Sequence, residues 1–139
     1  MADITRDLMG KLLLGDKEVV IVDMEAGVES FGRGVERNVD MVLMIVEPSF
    51  ESMALAEKIN YMAEGMGISR VKAILNKVPM ETTRRKMIEE LVRKNIKISG
   101  TVFYDPIISE AGFEGKAPAD SKAQEEVGGI VKQLLNEGA

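Results

Sequence analysis

The residues best suited to chemistry follow a short apolar run, Val19–Val22. The run ends at Asp23, and Glu25 comes two residues later, just ahead of a glycine-rich loop, Gly27–Gly34. An apolar strand that stops at an aspartate can hold the carboxylate at the edge of an α/β sheet, where it accepts hydrogen bonds from the waters of Mg²⁺. Gly27 would let the backbone approach a phosphate group. The pattern predicts a segment that binds Mg²⁺ and phosphate; the alternative is that Asp23 only caps the next turn.

The rest of the machinery for nucleotide hydrolysis is missing from the sequence. No stretch has the form G-x-x-x-x-G-K-[ST], whose backbone amides and lysine hold the phosphates of a nucleotide. The chain also has no cysteine and no histidine. This composition removes disulfides, thiolate nucleophiles, imidazole bases and the usual zinc or nickel ligands, and leaves Mg²⁺ as the metal best suited to the oxygen ligands that remain. Hydrolysis by this chain alone is therefore not expected, and no catalytic residue is assigned.

Polar residues also follow two later apolar runs. Asn76 and Lys77 come after one of them, and Tyr104, Asp105 and Pro106 come after the other. Ligands of parallel sheets bind beyond the carboxyl ends of the strands, so these residues are candidates for a binding site. An asparagine amide matches the donors and acceptors of a purine edge, and a lysine stem can cover a ring while its charge stays in water. The alternative is that both segments are ordinary turns and loops.

The hydrophobic pattern alternates between strand-like and helix-like segments, which predicts an α/β fold with a mostly parallel sheet of about four strands flanked by helices. One domain is expected, covering residues 1–139. The predicted strands are Glu18–Val22, Met41–Val46, Val71–Leu75 and Ile98–Phe103. The predicted helices are Asp3–Leu14, Gly34–Asn38, a helix from Ser49 or Ser52 to Gly65, Glu81–Lys94 and Ser121–Asn136, with a loop from Tyr104 to Pro118.

Helical spacing also predicts which side chains these helices bury. The expected buried residues are Leu55, Ile59, Met62, Met66, Met87, Ile88, Leu91, Val92, Val127, Ile130, Val131, Leu134 and Leu135.

Charge and hydropathy exclude several classes of function. The net charge of −5 argues against nucleic acid as a partner, because phosphate backbones require a basic surface. No apolar run approaches the roughly 20 residues that span a bilayer. Acidic residues occur too early in the chain for a signal peptide. A cytoplasmic protein without membrane or nucleic-acid partners is expected.

The order of the motifs resembles that of a known ATPase family. Val22–Glu29, Gly32–Gly34, Val46–Ser49 and Asn76–Val78 occur in the order and at the spacing typical of the MinD/ParA-type ATPases of the SIMIBI class. Within that class the chain is most similar to CooC, the ATPase that helps to insert nickel into carbon monoxide dehydrogenase. The similarity extends over nearly the whole chain.

The resemblance implies a P-loop fold of the Rossmann-like, three-layer type that dimerises around ATP and Mg²⁺. Asp23 would match the Walker B aspartate, and Gly27 would belong to the switch II hinge. Asn76 would match the residue that recognises adenine, and Tyr104–Pro106 would match the loop against the adenine ring. The nucleotide-site remnants implied in this way are Asp23, Glu25, Gly27, Asn76, Lys77, Tyr104, Asp105 and Pro106.

The departures from the family define the expected function. Family members begin with a strand and a deviant phosphate loop, and CooC proteins carry a Cys-x-Cys metal pair; this chain starts after both. The resemblance then implies a domain without a P-loop, truncated at the N-terminus and non-hydrolytic, which binds a partner or regulates, with a link to nickel and carbon monoxide dehydrogenase maturation.

Three different functions are also compatible with the motifs. The first is residual binding of ATP, ADP or another anion by Gly27–Gly34, with Arg33 and Arg37 supplying charge. The second is that the sequence is a piece of a full-length ATPase. The third is an unrelated flavodoxin-like or receiver-like α/β domain; in a receiver domain Asp23 and Lys77 would be the characteristic pair.

The resemblance also predicts a gap in the sheet. In P-loop proteins of this class the phosphate-loop strand lies between the Walker B strand and the next strand, which here are Glu18–Val22 and Met41–Val46. A gap exposes unpaired backbone groups and apolar side chains. We therefore expect a homo-oligomer or a partner protein that completes the sheet, unless the two strands pair directly.

Overall fold

The computed structural model describes Lys11, Gly15 and residues 18–24, 39–118 and 120–137. In these parts the chain forms three strands and four helices. In chain order they are β1 (Val42–Val46), α1 (Phe50–Gly65), β2 (Val71–Val78), α2 (Glu81–Arg93), β3 (Lys97–Phe103), α3 (Pro106–Glu114) and α4 (Lys122–Glu137).

The three strands form a parallel sheet in the order β1-β2-β3. Met44 of β1 lies beside Ala73 of β2, and Ala73 lies beside Ile98 of β3. The register between β2 and β3 then shifts, because Ile74 pairs with Gly100 and the residue between Ile98 and Gly100 is skipped. Parallel neighbours need long crossover connections, and α1 and α2 supply them.

The two faces of the sheet are covered by different helices. On one face, buried residues of β1 and β2 pack with α1 and α2 in the main core, which includes Met44, Ala73, Leu75, Ala63 and Leu91. On the other face, Val102 of β3 packs with Ala123 and Ile130 of α4. Helices on both faces of a parallel sheet make a three-layer α/β arrangement, so the predicted fold class is confirmed.

The prediction of about four strands is wrong. Glu18–Val22 forms no strand, and residues 18–24 have no regular secondary structure. Ile21 is 89% exposed, and its apolar neighbours Val19 and Val20 are also exposed. An apolar run has strand propensity, but a strand forms only where a neighbour accepts its backbone hydrogen bonds and covers its side chains. Within the described ranges, no strand lies beside this run.

The predicted helices agree with the structure in part. Ser49 is the N-cap of α1, as expected, and its hydroxyl accepts a hydrogen bond from the Ser52 amide at 3.1 Å. The prediction of a continuous loop from Tyr104 to Pro118 is wrong, because α3 forms within it. Asp105 at the N-cap and Pro106 at the first helical position are both helix-start signals. The predicted helices Asp3–Leu14, apart from Lys11, and Gly34–Asn38 lie outside the described residues.

Several apolar side chains that the helical pattern places in the core are exposed. Met87, Leu91 and Ile130 are buried as predicted, whereas Val92 on α2 and Val127, Val131 and Leu135 on α4 are largely exposed. No helix in the described ranges combines the length and the apolar character needed to cross a membrane.

Candidate functional site

Polar side chains lie where the three strands end, and an ion pair joins two of these ends. Glu47 directly follows β1, and its carboxylate oxygen Oε1 is 2.7 Å from Nζ of Lys77 near the end of β2. The Glu47 amide donates a hydrogen bond to the Ser52 hydroxyl at 2.9 Å, which fixes the backbone where the chain turns into α1. Both charged side chains remain substantially exposed, so this ion pair contributes little to the stability of the contact between the carboxyl ends of β1 and β2.

Asn76 and Lys77 lie inside β2, because the strand continues past the predicted end at Leu75 to Val78. Asn76 is partly buried and Lys77 is exposed. Lys77 has a φ of 53°, a left-handed conformation that is uncommon for a residue other than glycine. The register with β3 is irregular between Leu75 and Val78, so this conformation belongs to a local bulge. Bulges redirect side chains at sheet edges, and this one turns Lys77 toward Glu47.

Tyr104–Pro106 connects β3 to α3, and Asp105 fixes the connection. One oxygen of its carboxylate accepts a hydrogen bond from the Ile107 amide at 3.0 Å, which caps α3. The other oxygen accepts from the Ala123 amide at 3.2 Å, in the first turn of α4. The Tyr104 amide donates to the Val78 carbonyl at 2.9 Å, so the connection is also tied to β2. The structure therefore shows Asp105 holding the starts of two helices together.

Two residues of α4 that the sequence analysis missed complete this region. The Glu126 carboxylate accepts a hydrogen bond from the Phe103 amide at 2.8 Å. Nζ of Lys122 lies 5.3 Å from the centre of the Phe103 ring and 3.8 Å from Oε1 of Glu126. The spacing of Lys122 and Glu126, four residues apart, is a signal for an ion pair on one helix face. That spacing in the sequence could not show that this face of α4 contacts the end of β3.

A small cavity of about 180 Å³ lies among these residues. Its walls combine aromatic and prolyl surface with one cation and two carboxylates, a set that suits a flat ring with polar edges. The lining residues are Phe103, Tyr104, Asp105, Pro106, Ile107, Lys122, Ala123 and Glu126. The structure thus brings together three of the predicted site residues, Tyr104, Asp105 and Pro106, whereas Asn76 and Lys77 lie outside the lining.

The predicted Mg²⁺ and phosphate segment is separate from this cavity. Asp23 is exposed in the irregular stretch of residues 18–24, and Glu25 and Gly27, with the rest of Gly27–Gly34, lie outside the described residues. Within the described ranges, no three Asp, Glu, His or Cys side chains lie close enough together to hold a metal ion. A single exposed carboxylate does not fit a Mg²⁺ site, and the role of Asp23 stays a prediction.

The chain is similar to several known proteins. An uncharacterized ATP-binding protein of Methanocaldococcus jannaschii is 40% identical over 116 residues, which cover 84% of this chain and 45% of that protein. A second ATP-binding protein of the same organism is 34% identical over 133 residues, covering 94% of this chain and 51% of that protein. The carbon monoxide dehydrogenase accessory protein CooC of Rhodospirillum rubrum is 39% identical over 75 residues, covering 54% of this chain and 28% of that protein.

Solved structures show the same fold. MinD of Aquifex aeolicus matches with a TM-score of 0.62 at 18% identity, over 73% of this chain and 46% of MinD. Sequence and fold together fit a fragment of a CooC/MinD-like ATP-binding protein of the SIMIBI class. MinD in the Aquifex aeolicus MinC:MinD complex also matches, with a TM-score of 0.62 at 22% identity, over 76% of this chain and 46% of that chain. No protein-family model matches the sequence.

This CooC/MinD-like chain spans about half the length of the curated relatives it matches. The suggested roles of Asn76, Lys77, Tyr104, Asp105 and Pro106 toward a nucleotide stay predictions. What the structure adds is the support around three of them: two helix starts fixed by Asp105, and Lys122 and Glu126 from α4.

Proposed function

We propose that this CooC/MinD-like domain is non-hydrolytic and binds a second polypeptide that completes its sheet at β1. The observation that carries the proposal is the outer edge of β1, which no other strand pairs within the described ranges. Leu43 and Ile45 on this strand are 42% and 58% exposed, although Met44 and Val46, which alternate with them, are buried. The strands of a parallel sheet are normally covered on both faces. An uncovered apolar edge strand is a template for association.

The absence of hydrolysis in this proposal is supported by the sequence. These 139 residues contain no Walker A phosphate loop, and the described part holds no cluster of ligands around Asp23. The similarity to CooC supports a regulatory or partner-binding role connected with nickel and carbon monoxide dehydrogenase maturation. Because this chain has no cysteine or histidine, any metal-binding thiolates are assigned to the partner. The single-domain organisation and the cytoplasmic location stay predictions.

Light scattering of the purified chain, alone and with candidate partners, tests the proposal. The expected result is a particle heavier than the 15.2 kDa monomer, either a homo-oligomer or a complex. Replacing Ile45 with aspartate should reduce the heavier species, because a charge on the uncovered face opposes burial. A monomer at every concentration that recruits no second polypeptide would refute the proposal.

Calorimetry with MgATP tests the non-hydrolytic part of the proposal. Without the backbone amides and lysine of a phosphate loop, the chain loses the contacts that supply most of the affinity for a nucleotide. Binding should therefore be no tighter than about millimolar. Micromolar binding to this chain alone would contradict the expectation.

A second candidate function is residual binding of ADP or ATP, and the cavity among Tyr104, Lys122 and Glu126 favours it. A fluorescent ADP analogue would be titrated into wild type, Tyr104→Ala and Asp23→Ala. Saturable binding lost in Tyr104→Ala would place the ring in the cavity. Binding that requires Mg²⁺ and is lost in Asp23→Ala would favour the Gly27–Gly34 segment. No saturable signal with any variant would exclude this candidate. If the sequence is instead a piece of a full-length ATPase, the same cavity is expected in the longer protein.

A further inference from the structure

We infer that a groove along β3 binds a short extended segment of a partner polypeptide, with alternating apolar and polar side chains and an acidic residue at one end. The groove has a volume of about 980 Å³ and lies between α2 and α4, with Ser99, Gly100 and Thr101 of β3 along its floor. The inference is independent of the proposed function, because β3 and β1 form opposite edges of the sheet.

The floor of the groove offers backbone groups that no other strand uses. The Tyr104 amide donates to the Val78 carbonyl on β2, so the Phe103 amide, one residue earlier, points away from β2. The Glu126 carboxylate accepts a hydrogen bond from that Phe103 amide. The Thr101 amide, two residues before Phe103, points in the same direction, and within the described ranges no strand lies there. An added strand would therefore find backbone partners at Thr101.

The open part of this edge is short. Glu126 already occupies the Phe103 amide at one end, and β3 begins at Lys97 at the other. The stretch from Lys97 to Thr101 remains between them. At about 3.3 Å per residue, it accommodates roughly five residues of an added strand. A short linear segment fits this length better than a long strand of another folded domain.

Ser99 gives a second, independent indication of a ligand in the groove. The register between β2 and β3 skips Ser99, which places it in a bulge. Its side chain is buried, and among the described residues its hydroxyl is the buried side-chain polar group that has no hydrogen-bond partner. An unpaired buried hydroxyl is unfavourable, so a ligand that supplies a partner gains free energy there. The backbone of an extended segment carries such donors and acceptors at every residue.

The two walls of the groove determine which side chains the segment would carry. Successive side chains of a strand point to opposite faces, so alternate residues would face α2 and α4. Ile88 and Val92 give the α2 wall an apolar surface, and Val92 is 60% exposed. Gln133 and Glu137 make the α4 wall polar. The structure therefore favours a segment in which apolar residues alternate with polar ones.

Charge distinguishes one end of the segment. Lys72 in the groove is paired with Glu137. Arg84 is paired with Glu81 at 2.9 Å. Lys97, at the start of β3, is exposed and forms no ion pair with any other residue that the structure describes. An acidic residue of the segment beside Lys97 would complement this charge.

Selection from a library of linear heptapeptides displayed on phage, against the immobilised full chain, tests the inference. The enriched sequences should alternate apolar and polar residues and carry an acidic residue at one end. The best sequence is then labelled with fluorescein, and its binding is measured by fluorescence anisotropy. Val92→Asp should weaken binding at least tenfold, because it places a charge in the apolar wall. Val131→Asp, an exposed valine of α4 outside the groove lining, is the matched control and should stay within twofold of wild type.

Two further measurements examine the backbone pairing and the charge. N-methylation of the peptide amides, one at a time, uses the wild-type chain, and at least one position should weaken binding tenfold because it removes a backbone donor. Lys97→Glu should weaken binding about two- to fivefold, and a peptide with lysine in place of its acidic residue should restore it. Hydrogen exchange should show that the peptide protects the Thr101 amide and leaves the β1 amides unchanged.

The remaining outcomes would overturn the inference. A selection that enriches no sequence would do so, as would binding that survives both Val92→Asp and every N-methylation. Protection of Thr101 that rises with the concentration of the chain, without peptide, would assign this edge to a second copy. Protection of β1 in place of β3 by the peptide would move the binding to the edge of the proposed function. Each of these results leaves the test of sheet completion at β1 separate.

Discussion

Asp105 is predicted to be a main determinant of the stability of the candidate site. Its carboxylate accepts hydrogen bonds from the Ile107 amide at 3.0 Å and the Ala123 amide at 3.2 Å. The first is the N-cap of α3 and the second holds the first turn of α4. Asp105→Ala removes both acceptors at once and leaves the amide of Ala123, a buried residue, without this partner.

The size of the effect follows from the two bonds. Loss of an N-cap side chain costs about 1 kcal/mol, and loss of a hydrogen bond to a charged acceptor costs about 1.5–3 kcal/mol, less where water can replace it. We expect Asp105→Ala to lower the free energy of unfolding by about 2–3 kcal/mol. With a urea m value of about 2 kcal/mol/M, the midpoint should fall by about 1–1.5 M.

Urea denaturation followed by circular dichroism measures this loss. Asp105→Asn keeps one carbonyl acceptor and should lose about half as much as Asp105→Ala. Glu110→Ala is the control, because Glu110 is an exposed acid on α3, and its effect should stay within about 0.5 kcal/mol. A urea midpoint of Asp105→Ala equal to that of the control would refute the assignment of Asp105 as the residue that links the starts of α3 and α4.

Three further predictions concern packing, backbone strain and charge. A Cβ on Gly100 would lie 2.4 Å from Cγ1 of Ile130, so Gly100→Ala should lower the free energy of unfolding by about 1–3 kcal/mol. In a double-mutant cycle, Ile130→Ala should remove most of that cost. Strictly additive losses of stability would contradict the contact. Lys77 has a φ of 53°, a conformation that glycine adopts easily and a β-branched residue does not. In thermal unfolding, Lys77→Gly should therefore be neutral or stabilising, and Lys77→Val should destabilise by about 1–2 kcal/mol. A Lys77→Val variant more stable than Lys77→Gly would be inconsistent with the bulge. Desolvation raises the pKa of Glu81, but hydrogen bonds and charge from Arg84 and Arg85 outweigh it and hold that pKa below its usual value. A carboxyl group whose pKa is lowered by folding stabilises the folded state at pH values above its unfolded-state pKa, and this stabilisation is lost as the pH falls. The urea midpoints of wild type and Glu81→Gln should therefore differ at pH 7 and converge near pH 3. A difference that persists at low pH would rule out this linkage.

Local signals in the sequence predicted much of the fold. The Ser49 cap, the buried face of α2 at Met87 and Leu91, and the parallel alternation all depend on residues close together in the chain. The strand predicted at Glu18–Val22 is wrong because a strand also needs a neighbour, which no local pattern supplies. The start of α3 was detectable, since Asp105 and Pro106 form a recognisable helix start.

Burial and the composition of the site depended on distant parts of the chain. Periodicity correctly predicts that Val127 and Val131 belong to a helix, but it cannot show whether another element covers that flank of α4. The strand-end rule predicted Tyr104 and Asp105 as candidate binding residues; both line a cavity, and their role in binding stays a prediction. Glu126 was missed because its contact with Phe103 joins positions 23 residues apart in the chain.

Amide hydrogen exchange of β1 tests most directly the central claim that a second polypeptide completes this sheet. The chain would be measured dilute, as the monomer, and in the heavier species detected by light scattering, whether homo-oligomer or complex. The account predicts that the β1 amides directed to the open edge exchange rapidly in the free chain and become protected in the complex, while the amides of β2, already paired on both sides, change little. A complex in which β1 stays unprotected, and protection appears along β3 instead, would contradict it.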